Sequence, residues 1–155
     1  MGKSGIQDID RGWQRIKRET AALSRKAVKV GIQSDAGGDI IKRAFFNEYG
    51  TAGGASGGGW GGPVPARPFV STAFDENRDD LHAMKARLWD GLMLGRVGAD
   101  QAAALLGEHH QNQVQGKITS IQTPPNAAVT IEKKGSTNPL IDTGQMRQSV
   151  RYEVE

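Results

Sequence analysis

Arg25-Lys26-Ala27-Val28-Lys29-Val30-Gly31-Ile32-Gln33 puts apolar side chains at 28, 30 and 32 and polar or small ones between them. That two-residue period is the mark of a half-buried strand and predicts one over residues 27–33. Upstream the period changes. Ile6, Ile9, Trp13, Ile16, Thr20 and Leu23 recur at steps of three and four, the stripe of an amphipathic helix over residues 5–25. Arg11, Arg15, Lys17, Arg18 and Arg25 fall largely off the stripe and keep their charges in water. Helix followed by strand already favours a mixed architecture.

Working outward toward the C-terminus, Asp39 precedes Ile40, Ile41, Ala44, Phe45 and Tyr49, which suggests a short helix ending at Gly50. Eight of the thirteen residues from Gly50 to Gly62 are glycine and the only large side chain among them is Trp60. Local burial cannot offset the ordering entropy of such a stretch, so a mobile loop is expected at 50–62. Pro63-Val64-Pro65-Ala66-Arg67-Pro68-Phe69 then enforces an extended path, because proline fixes its own φ and disfavours helix in the residue before it.

From Ser71 to Arg96, Phe74, Leu81, Met84, Leu88 and Leu92 keep helical spacing, and Thr72 with Asp75 stands as a capping pair. One long helix is expected there, broken by Gly95 and Gly98. Asp100 opens another, with Ala103, Leu106, His110, Val114, Ile118 and Ile121 on its buried face, stopped by Pro124-Pro125. Val129 and Ile131 alternate with polar neighbours, which predicts a second strand over 127–133. Asp142 and Gln145 have capping-box spacing for a helix at 143–148, and Val150, Tyr152 and Val154 alternate in a final strand. The sum is one α+β domain over residues 1–155, a small mixed sheet packed by helices.

The totals bound the function. A chain of 155 residues builds one modest core. With no cysteine there is neither a disulfide nor a thiolate metal site. No apolar run approaches the roughly 18 residues of a membrane span, and the N-terminus lacks the apolar core of a signal peptide, so a soluble, non-exported protein is expected. The net charge of +3 is uneven: residues 1–29 hold eight Lys/Arg against three Asp/Glu. A basic helix contacts nucleic-acid phosphates in some proteins, but a solvated basic face on an ordinary helix is the commoner use.

Chemistry-bearing patterns are sparse. Asp142-Thr143-Gly144, after Leu140-Ile141, matches the triplet of aspartic proteases, in which two carboxylates share a proton across a dimer axis. Only eleven residues follow Gly144, too few for the flap and bracing strand of a retroviral-type protease, so Asp142 and Gln145 are expected to act as a structural cap. His109 and His110 are adjacent and diverge by about 100° on a helix, which prevents them from gripping one metal as an i, i+4 pair does. His82 is remote in sequence. The glycine-rich loop has no lysine for a phosphate, and no serine stands in a G-x-S-x-G turn. No catalytic residue, metal or cofactor is expected.

Three segments in a fixed order carry a resemblance: Asn47-Glu48-Tyr49-Gly50-Thr51, Pro65-Ala66-Arg67-Pro68-Phe69, and the run from Asn138 to Val150 that reads NPLIDTGQMRQSV. Together they resemble the tail-component and virion-morphogenesis proteins of tailed, Mu-like bacteriophages, over residues 28–155. The resemblance implies a small α+β subunit in a homo-oligomeric ring of six at the tail-completion or neck position. Its implied partners are further copies of itself, connector and neck proteins, and tail-tube or tail-terminator proteins. Genomic DNA would pass through the lumen without sequence-specific binding, no membrane is involved, and the location is the virion, assembled in the host cytoplasm. Trp60, Arg67, Phe69 and Arg147 are the candidate inter-subunit contacts, large aromatics and arginines being common interface anchors. The glycine-rich insert is longer than in the family pattern. A tail terminator ring is the neighbouring alternative; a DNA-binding module built on the basic N-terminal helix is the alternative of a different class.

Overall fold

The computed structural model describes residues 10, 12–52 and 63–155. In chain order the elements are α1 (Trp13–Leu23), β1 (Val28–Ile32), a 3-10 turn (Ser34–Ala36), α2 (Gly38–Tyr49), α3 (Val70–Glu76), α4 (Arg78–Met93), α5 (Ala99–Ser120), α6 (Ala128–Lys134), α7 (Gln145–Gln148) and β2 (Val150–Val154). The class is α+β. Among the described residues its sheet is smaller than expected and not mixed: it consists of β1 and β2, antiparallel, with Val28 opposite Val154, Val30 opposite Tyr152 and Ile32 opposite Val150.

The 22 residues of α5 form the axis of the fold. On one side α5 supports both strands, and on others it packs α1, α3 and α4. The principal core gathers Ala44, Phe69, Ala73, Val114, Ile118, Ile121, Leu140 and Val150, with Val30, Ile32, Ile141 and Met146 packed against it. Phe69, Val114, Ile118 and Val150 are fully buried, each contributing on the order of 1.5–3 kcal/mol. Leu81, Leu92, Ala99, Ala102 and Ala103 are also buried. Where α5 meets β2 the approach is close: a Cβ on Gly107 would lie 2.5 Å from Cδ2 of Tyr152. Glycine is therefore what lets the strand settle on the helix.

Several expectations are corrected. The N-terminal helix does not run unbroken over 5–25. Gly12 is left-handed at φ 97, and the Asp10 carboxylate accepts the N–H groups of Gly12 at 3.0 Å and Trp13 at 2.6 Å, so the helix begins at Trp13; residues 5–9 and 11 of the expected span lie outside the described residues. The long helix of 71–96 is two helices, because Asn77 turns its side-chain amide onto the Ala73 carbonyl at 2.8 Å and leaves helical geometry. Residues 127–133 are not a strand: Ala128–Lys134 is helical and closes on left-handed Gly135, whose N–H donates to the Ile131 carbonyl at 2.8 Å. Two alternating apolar residues are too few to fix a period; on the helix they fall on different sides, Val129 exposed and Ile131 half-buried, and the Glu132-Lys133-Lys134 run with its glycine stop favours helix. Neither expected capping pair is made. No side chain caps α3 from Thr72, and α7 starts after Gly144 at φ 79 without a bond from Asp142 or Gln145. Among the described residues no helix is long and apolar enough to cross a membrane.

Candidate interaction surface

The first two of the three segments singled out in the sequence meet in one joint, and the third packs on the same core. Asn47 accepts the backbone N–H of Arg67 at 2.6 Å. Glu48 reaches across to the start of α3, its Oε2 accepting the N–H groups of Phe69 at 2.7 Å and Val70 at 3.0 Å. Its Oε1 takes the Ser71 N–H at 3.0 Å and hydroxyl at 2.7 Å. The orphan donors of that helix are thus satisfied by a residue about twenty positions upstream. Burial pushes the Glu48 carboxyl up, but the bonds from Val70, Ser71 and Phe69 outweigh it and hold the group below the ordinary carboxylate value. Gly50, at φ 74, lies so near the other side of the joint that a Cβ would stand 3.0 Å from the Ala66 nitrogen. Thr51 and Val64 close the joint: the Thr51 N–H donates to the Val64 carbonyl at 2.9 Å, and the Val64 N–H to the Thr51 hydroxyl at 3.0 Å.

Arg67 does not face outward. Its side chain is 5% exposed, with Nε donating to the Pro124 carbonyl at 2.6 Å and Nη2 to the Pro125 carbonyl at 3.0 Å. Burial lowers its pKa. Nearby, Lys134 donates to the Asn138 and Pro139 carbonyls at 3.2 and 3.4 Å. Its pKa is lowered by burial, opposed by Asp142 and reinforced by Arg67. The third segment packs on the same core, and Asn138 shapes its start. Its Oδ1 accepts the N–H groups of Leu140 and Ile141 at 3.0 Å, and its Nδ2 donates to the Thr119 carbonyl at 2.8 Å. Leu140 and Ile141 are thereby pressed onto the core beside Phe69.

Of the four residues expected at an interface, Arg67 and Phe69 are built into the interior of the fold, Arg147 is exposed on α7, and Trp60 lies outside the described residues. Asp142 is exposed ahead of α7. The outward-facing apolar side chains beside the joint are others. Phe45 and Tyr49 on α2 are 58% and 70% exposed, with ring centroids 4.8 Å apart, and Lys42 stands 5.7 Å from the ring of half-buried Phe46. Tyr49 also borders a cavity of about 360 Å³ against Thr51, Val64 and Ala66. Sequence reasoning assigned Phe45 and Tyr49 to the helix without separating its two faces. The separation was available, since Ile40, Ile41 and Ala44 fall on one side of α2 and positions 42, 45 and 49 on another.

The titratable groups elsewhere serve helix joints. His109 Nε2 lies 2.5 Å from Asp80 Oδ2, a carboxylate that also accepts from Gln113 at 2.7 Å. His110 meets Gln113 at 3.0 Å and the edge of Phe74. Among the described residues no three His, Asp or Glu side chains are grouped to hold a metal. Much of the basic charge of α1 and its flank is engaged within the chain. Arg15 donates to the Leu92 and Met93 carbonyls at 2.7 and 2.8 Å, Lys26 pairs with Asp100 at 2.5 Å, and Lys29 pairs with Glu155 at 2.5 Å. No family model, no curated protein and no solved structure matches the chain.

Proposed function

We propose that the chain is a structural subunit of a tailed-bacteriophage virion that forms a tail-completion or neck ring between the tail and the head-proximal connector. One observation carries the reading: of the three segments that resemble this protein family, spread from residue 47 to residue 150, the first two form one hydrogen-bonded joint and the third packs on the same core. A joint of that kind fixes the shape of a subunit whose task is geometric, and it leaves the Phe45–Tyr49 stripe outside for a neighbour. A closed ring requires two different complementary patches per subunit, and exposed aromatics beside a rigid joint make a suitable one. The role calls for no cofactor and turns over no substrate. The use of Arg15, Lys26 and Lys29 inside the chain weighs against a DNA-binding helix as the primary function.

Mass photometry of the purified protein, alone and then with tail-tube and neck proteins, tests the proposal. A hexamer, or a shift to one when a virion protein is added, supports it, and Phe45→Glu with Tyr49→Glu should abolish that shift. A monomer that ignores every virion protein and binds DNA fragments with a steep salt dependence would replace it with the nucleic-acid reading.

A further inference from the structure

The two edges of the sheet are treated differently. Ala27 and Glu155 exchange both backbone hydrogen bonds at 2.9 Å. In an antiparallel ladder bonded and non-bonded pairs alternate, so Lys29 and Gly31 bond inward to β2, while Val28, Val30 and Ile32 turn their N–H and C=O groups to the outer edge. On β2 the outward residues are Val150, Tyr152 and Val154, and α5 closes that edge. Gln111 Oε1 accepts the Tyr152 N–H at 3.0 Å, and Gln115 Nε2 donates to the Val150 carbonyl at 3.1 Å. Among the described residues the outer edge of β1 has no such cover. Among the described residues, no hydrogen bond reaches the backbone of Val28, Val30 or Ile32 from that side, and β2 and α5 are the elements that pack closely on the strand.

We infer that this edge pairs with β1 of a second copy of the chain, antiparallel, with Val30 on the two-fold axis. The occupant follows from the residues. Outward groups must face outward groups, which restricts the alignment to Val28, Val30 and Ile32 opposite one another. Centring on Val30 sets Val28 against Ile32 of the second copy and overlaps the whole strand. It also sets Lys29 against Gly31, where no side chain obstructs the lysine stem. Centring on Lys29 instead opposes two ammonium groups directly, which is destabilising. The apolar residues stay on one face across both copies, since Val28, Val30 and Ile32 all lie on the α5 side of the sheet. The product is a four-stranded sheet, β2-β1-β1-β2. This contact is isologous and independent of the ring reading, which needs a heterologous interface.

Amide hydrogen exchange of the full chain, followed by NMR over a concentration series beside sedimentation, tests the inference. In dilute protein the amides of Val28, Val30 and Ile32 exchange rapidly while those of Lys29 and Gly31 are protected. As a dimer forms, the first three gain protection in step with the dimer fraction. Val28→Pro, which removes an outward N–H at the start of an edge strand where proline is tolerated, should weaken the dimer at least tenfold and leave the circular dichroism of the monomer unchanged. The chain has no cysteine of its own, so Val30→Cys should give a disulfide-linked dimer under mild oxidation and Glu153→Cys should not. A protein that stays monomeric at the highest concentration, or gains protection on β1 only when a different protein is added, overturns the inference. A hexamer whose β1 amides remain open would overturn it while leaving the ring intact.

Discussion

Removing the Glu48 carboxylate should unfasten α3 from α2. Four hydrogen bonds end on this side chain, all from the first residues of α3 or the residue before it. A capping bond is worth about 0.5–2 kcal/mol, and bonds to a charged acceptor about 1.5–3 kcal/mol. Because the group is only half-buried and water can replace part of the cap, Glu48→Ala is expected to cost about 2–3 kcal/mol at pH 7. With a urea slope of about 2 kcal/mol/M, the unfolding midpoint falls by about 1–1.5 M. The pH dependence has a fixed sign. The folded-state pKa of Glu48 is below its ordinary value of 4.5, so its contribution is complete above that value and is lost as pH falls through the lower, folded one. Urea melts of wild type and variant at pH 7 and through the acid range would show the gap closing with acidification. A gap under about 0.5 kcal/mol at pH 7, or one that stays constant into strong acid, would refute the argument.

Arg67→Lys retains the charge but not the fork that spans the Pro124 and Pro125 carbonyls, so it should lower stability by about 1–3 kcal/mol in the same melts, nearly as much as Arg67→Met. Gly107→Ala drives a Cβ into the Tyr152 ring and should cost about 1–3 kcal/mol by calorimetry, with Tyr152→Ala in the same chain recovering part of the loss. Asp142→Ala should stay within about 0.5 kcal/mol of wild type, since Asp142 caps no helix here. Asp142→Asn should likewise leave any peptide-cleaving activity of the preparation unchanged.

The strands and most of the helices were legible because they depend on local periodicity. Val28-Val30-Ile32 and Val150-Tyr152-Val154 carry the pattern of a strand whichever partner they find, and they pair with each other. The failures share a cause, which is that a side chain's partner was remote or its backbone role unseen. Thr72 and Asp75 have the spacing of a cap, but Glu48 arrives first from α2. Asn77 reads as an ordinary polar position in a long helix until its amide folds back on Ala73. Val129 and Ile131 fit a strand until Gly135 is seen as a left-handed stop. For Arg67 the sequence pointed in the wrong direction. Arg67 between two prolines has the look of a fixed outward charge, and only the fold brings the Pro124 and Pro125 carbonyls, nearly sixty residues away, over its guanidinium.

The joint also explains how a long glycine-rich stretch is compatible with the fold of the segments on either side of it. Thr51 and Val64 are bonded to each other, so the chain enters and leaves the insert at one place, and the length between them does not change where α2 and α3 sit. Closure entropy grows only as the logarithm of loop length. Replacing residues 53–62 by two glycines shortens the connection from Ala52 to Pro63 about threefold, to a hairpin-sized loop. It should therefore leave stability unchanged or raise it by about 1 kcal/mol. Thermal melts of the shortened chain read this directly. A loss above about 2 kcal/mol would mean that the insert contributes to the fold. An unchanged melt combined with failure to join a virion ring would assign residues 53–62, Trp60 among them, to contact with a neighbour.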